Sequence, residues 1–76
     1  MYVEVLYHKP EISGYAGSRY TFYTDLPLVE NQKVLVPTNT GEMKKALVKA
    51  VNIDEAKVIG QPWAEHMKKI TQLDLD

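Results

Sequence analysis

The sequence predicts a mostly-β chain folded back on itself as a small closed sheet, with an α+β arrangement, helical over 42–52 and 63–73, as the alternative. Three observations carry that prediction. Arg19 to Thr24 alternates strictly, with Tyr20, Phe22 and Thr24 on one side and Arg19, Thr21 and Tyr23 on the other, which is the two-residue period of a strand. "KVLVPT" is rich in β-branched valine and stops at Pro37, a residue with no amide hydrogen to give a ladder. "NTG" then supplies a tight turn, since Asn39 and Gly41 take positive φ cheaply.

In chain order, "MYVEVLYHK" is valine- and tyrosine-rich and opens the fold as a strand from Tyr2 to His8. Gly14 and Gly17, with two serines, make "EISGYAGS" a pliable connection. "SRYTFYTDL" is the next strand. "DLPLVENQ" carries Pro27 and ends in polar residues, so it reads as a bend that turns Leu26 and Leu28 inward before "KVLVPT" begins.

Local signals conflict in "EMKKALVKAVNI". Met43, Leu47, Val48 and Val51 share one helical face with Lys44, Lys45 and Lys49 largely opposite, and most of these residue types favour helix. A turn directly after a strand favours a hairpin partner instead, and Ala46, Val48 and Ala50 alternate with Leu47 and Lys49 well enough for a sheet. Strand is the reading preferred here. "DEAKVIGQPWAE", with Gly60 and Pro62, is an irregular excursion with one short helical turn around Glu55. In "HMKKITQLDLD", Met67, Ile70 and Leu73 suit a helix, whereas Ile70 to Leu75 suits a closing strand, which is preferred.

At 76 residues the chain is one domain, 1–76, near the size at which a core leaves roughly 3–5 kcal/mol of net stability. It is expected to fold alone or as a small homo-oligomer. With 45% hydrophobic and 25% charged residues it lacks the signature of disorder. A net charge of -1 gives no overall field toward nucleic acid or an anionic membrane, so any such binding needs a local patch. The absence of cysteine excludes disulfides, thiolate chemistry and cysteine-bound metals. With no basic-then-apolar leader and no run near ~20 apolar residues, the expected location is the cytoplasm, without a membrane partner.

"YTFYTDLPLVENQKVLVPTNTG", followed by "ALVKAVN" and "KKITQLDLD", resembles a pattern in small bacterial and bacteriophage proteins of unassigned role. In those, an aromatic-x-aromatic-x-Thr-Asp-Leu strand leads through a Gly-Asp turn to a Val-x-Val strand, a glycine turn and a valine-rich strand. Tyr20, Phe22, Thr24, Asp25 and Leu26 match the first part, and Val34, Val36 and Gly41 the second. "VLVP" after an aromatic strand is also similar to the amino-terminal DNA-binding domain of the primosomal helicase. The chain departs from these patterns at Asn31 and Gln32, where Gly-Asp is usual, and lacks the helicase pattern's basic, glycine-containing stretch after "VLVP". What the resemblance implies is a five-stranded, strongly bent barrel of the Src-homology-three kind, a fold that hosts many binding roles.

Catalytic chemistry finds little support. Ser13 and Ser18 lie in a loop that could approach His8, but neither has nucleophile-elbow spacing. His8 and His66 would need the first and last strands to pair, with Glu4 or Glu65 completing a thin metal site, and no spaced ligand motif accompanies them. "GYAGSR" has two glycines but lacks the strand-to-helix setting of a phosphate loop. The expectation is therefore no enzyme, no cofactor and no metal. A protein partner would be held by exposed aromatics, Tyr15, Tyr23 and Trp63, with Arg19. The alternative is nucleic acid, with Tyr20, Phe22 or Tyr23 as stacking platforms and Arg19, Lys44, Lys45, Lys49, Lys68 and Lys69 on phosphates. The acidic end "LDLD" reads as solvated.

Overall fold

Why the conflicted stretch becomes a strand is clear from its neighbours. In the computed structural model, which describes residues 1–75, Met43–Ile53 is the longest strand and lies between two others that satisfy its backbone on both sides. The strands are β1 (Tyr2–Lys9), β2 (Gly14–Tyr15), β3 (Tyr20–Thr24), β4 (Lys33–Pro37), β5 (Met43–Ile53), β6 (Lys69–Ile70) and β7 (Gln72–Leu73). Short 3₁₀ turns occupy Pro10–Ile12, Glu55–Lys57 and Ala64–His66. Among the described residues there is no α-helix, so the helical alternatives over 42–52 and 63–73 do not form. Helix propensity loses because Ala46 and Val48 alternate into the core and are fully buried, a pattern only a strand allows.

The sheet runs β6-β3-β1-β5-β4-β7, with β2 folded back onto β1. Its two ends belong to one short segment, because only Thr71 separates β6 from β7. β6 pairs parallel with β3, β7 pairs antiparallel with β4, and the sheet thereby nearly closes on itself. The expected closing strand over Ile70–Leu75 is thus two short ladders, and the five-stranded barrel consists of β1, β3, β4, β5 and this closing pair. Curling is helped by β5, whose register against β1 shifts twice between Tyr2 and Val5, as bulges bend a strand toward a barrel.

The turns follow from residues that tolerate left-handed backbone. Gly41 in the β4–β5 hairpin has φ 84°, where a side chain would be strained. Asn31, at a departure from the resembled Gly-Asp turn, has φ 69°; asparagine is the residue that most readily replaces glycine there. Its N–H donates to the Val48 carbonyl at 2.7 Å, tying the bend to β5.

Val3, Val5, Phe22, Leu28, Val34, Val36, Ala46, Val48 and Ile70 form the core. Thr24 is the buried polar exception. Its hydroxyl donates to the Ile70 carbonyl at 2.9 Å and accepts the Leu26 N–H at 3.0 Å, so it fastens β6 to β3 and starts the bend. Thr24→Val keeps the shape but leaves both groups unpaired. It is expected to lower stability by about 1–3 kcal/mol, read from urea denaturation.

Candidate functional site at the barrel mouth

Each core column continues past the apolar interior at the same end of the barrel. Val3 and Val5 lead to Tyr7, Thr24 and Phe22 to Tyr20, Val48 and Ala46 to Lys44, and Val34 and Val36 to Thr38. The ladders bring these four ends together: Val5 is opposite Tyr20, Tyr7 opposite Ala46, and Val36 opposite Lys44. The period that fills the core with valine therefore lines its mouth with tyrosine, lysine and threonine.

The mouth opens into a groove of about 930 Å³, walled on its far side by the excursion that carries Trp63, His66, Met67 and Lys68. Tyr7 and Tyr20 pack edge to face, centroids 5.0 Å apart, and the Lys44 ammonium sits 5.9 Å from the Tyr7 ring centroid. Partial burial, and after it the neighbouring Tyr20, push the Tyr7 phenol up, so it stays a neutral hydroxyl. Tyr20 and Trp63 remain 50% and 43% exposed. Of the tyrosine, phenylalanine and tryptophan side chains that line the groove, these two are the exposed ones.

The groove is electrostatically unlike the rest of the chain. Lys9, Arg19, Lys44 and Lys68 line it against a single carboxylate, Glu4, although the whole sequence carries 9 basic and 10 acidic residues. Glu4 is itself engaged, accepting from Arg19 Nη1 at 3.2 Å. His8 and His66 both line the groove, yet among the described residues no group of three metal-ligating side chains forms. Ser13 and Ser18 are exposed and line no part of it.

Of the residues expected to hold a protein partner, Arg19 and Trp63 meet at the groove, whereas Tyr15 and Tyr23 lie outside it. Tyr15 packs edge-on against His8 at 5.2 Å, on the short β2 return. Of the cations expected on phosphates, Arg19, Lys44 and Lys68 line the groove and Lys49 does not; Lys45 borders a smaller hollow beside Tyr7 and Pro10. Sequence reasoning does not single out Tyr7 or Lys9. The available signal was a valine column ending in tyrosine.

Tyr23 belongs to a second cluster, on the outer wall. Its hydroxyl donates to Asp25 Oδ1 at 2.8 Å, Lys69 pairs with the other Asp25 oxygen and lies 5.8 Å from the Tyr23 centroid, and Tyr2 packs edge-on at 5.6 Å. These contacts join β6 to β3 from outside. Lys69, and after it Tyr23, hold the Asp25 carboxyl below its ordinary range. A depressed carboxylate stabilises the fold above its unfolded-state pKa, and this contribution is lost as pH falls through the folded-state value. Asp25→Asn is therefore expected to be less stable than wild type at neutral pH and to converge with it in acid. Urea midpoints across that range, at low and high salt, check this, and the difference should shrink in salt because the pair is exposed.

Among the described residues no helix is long and apolar enough to cross a membrane. No family model, curated protein or solved structure significantly matches this chain.

Proposed function

We propose that this protein is a non-enzymatic interaction or assembly module that grips a protein partner at the barrel mouth. The observation that supports this best is that two exposed aromatic side chains, Tyr20 and Trp63, line one groove. Aromatic anchors in a concave site are where binding energy concentrates, and such a grip needs no titratable machinery. The resemblance to small bacteriophage proteins favours an assembly role for a chain of phage or prophage origin. The test is capture from extract by immobilised protein: wild type is expected to retain a partner that a Tyr20→Ala, Trp63→Ala variant loses while still folded.

A second reading, single-stranded nucleic acid, is favoured by the four cations against one carboxylate around the same aromatics. Titration with labelled single-stranded DNA at two salt concentrations separates the two, because phosphate binding must weaken as salt rises.

A further inference from the structure

We infer that the segment held at the mouth is an extended acidic polypeptide, pairing through its backbone with Thr21 at the open edge of β3 and placing carboxylates on Arg19, Lys44 and Lys68. This inference rests on the reading of the mouth as the grip for a protein partner. Two independent features support it, one of backbone geometry and one of charge.

The backbone feature follows from the ladders around β3. Met1 and Thr24 exchange N–H···O bonds in both directions, at 2.7 and 2.9 Å. Partners in an antiparallel pair alternate between bonded and non-bonded. Phe22 and Tyr20 are therefore bonded to β1, while Tyr23 and Thr21 point their main-chain groups the other way. On that side Tyr23 is met, its N–H donating to the Lys68 carbonyl at 3.2 Å. The β6 ladder reaches only Tyr23 and Thr24. Before Lys68 the chain turns off through Ala64–His66, and the Met67 N–H is spent on the Ala64 carbonyl. Thr21, which lines the groove, therefore has a main-chain donor and acceptor with no ladder partner on that side among the described residues. An added peptide backbone meets both groups at once. A nucleic acid offers acceptors to the N–H but no matching repeat of donors for the carbonyl.

The charge feature sets the sequence of the segment. With the groove's one carboxylate already bound to Arg19, an incoming chain meets an excess of cations, so carboxylates at alternate positions are favoured and lysines are rejected.

The experiment uses the intact protein, isotopically labelled, and three fluorescent probes: an extended peptide alternating glutamate with valine and threonine, the same peptide with lysine for glutamate, and oligothymidylate. The glutamate peptide is expected to bind and to shift the Thr21 amide and the Trp63 indole. Its affinity should fall with salt and drop about tenfold or more in Arg19→Glu, Lys44→Glu. Methylating the peptide's alternate backbone nitrogens, which leaves the protein untouched, should abolish binding in one methylation register and spare it in the other. Preference for oligothymidylate overturns the inference in favour of nucleic acid. Equal, salt-independent binding of both peptides, or indifference to methylation in either register, overturns it while leaving the mouth as the grip. No response to the glutamate peptide also overturns it, and the capture experiment then decides the grip separately.

Discussion

Replacing Ile70 with alanine is expected to remove about 2–5 kcal/mol, most or all of the net stability of a domain this small, roughly 3–5 kcal/mol. Ile70 is fully buried and sits on the two-residue β6, where its carbonyl also receives the Thr24 hydroxyl. The closing segment has little else inside the barrel, since Gln72 and Leu73 of β7 are exposed. Losing the Ile70 side chain therefore removes the main apolar tie between the β3 and β4 edges, not merely one contact among many. Urea denaturation followed by circular dichroism should show a transition shifted to very low denaturant or absent. Leu75→Ala is the control: at 87% exposure, it should change stability by less than about 0.5 kcal/mol. A wild-type midpoint in Ile70→Ala would mean that closure through β6 contributes little. Partial opening would instead expose two unpaired strand edges, and the variant should then aggregate as well as unfold.

How far the fold was legible follows from the range over which each signal acts. β3 and β4 declare themselves locally, because alternation and a terminal proline need no distant partner. The 43–53 run does not: Met43, Leu47, Val48 and Val51 make a passable helical stripe, and only β1 and β4 on either side decide for the strand. The closing segment is less legible still, since two ladders of two residues each carry too few side chains to show a period. For the site the limit lies in closure itself. Lys9, Arg19, Lys44, Trp63 and Lys68 are spread across most of the chain and become neighbours only when both sheet edges meet. Alternation puts Tyr20 on the core side with Phe22 and Thr24, and it does not show that the barrel ends before Tyr20. That side chain therefore faces inward by period and remains half exposed by position. Composition could not reveal the basic groove either, because nearly balanced charges overall conceal their separation at the mouth.

The largest functional effect is expected from truncating Tyr20 and Trp63. Anchors of this kind commonly contribute about 2 kcal/mol or more each, roughly thirtyfold in affinity apiece, so the double variant should lose capture outright. The cost to folding should be much smaller, because both side chains are about half exposed; Tyr20 gives up mainly its edge contact with Tyr7, about 0.5–1.5 kcal/mol. Separating lost grip from lost fold requires a matched control, and the outer wall supplies one. Tyr23→Phe removes a hydroxyl that binds Asp25 outside the groove, so it should leave capture intact. If Tyr23→Phe abolished capture and the Tyr20 and Trp63 truncations did not, the binding face would be the wall formed by Tyr2, Tyr23 and Lys69. The cations at the mouth would then be no more than the solvated rim of a small barrel. If the truncations act and Tyr23→Phe does not, the same alternation that buries Val3, Val5 and Phe22 also supplies Tyr20 to the grip, one step beyond the core, while Trp63 joins it from the excursion before β6.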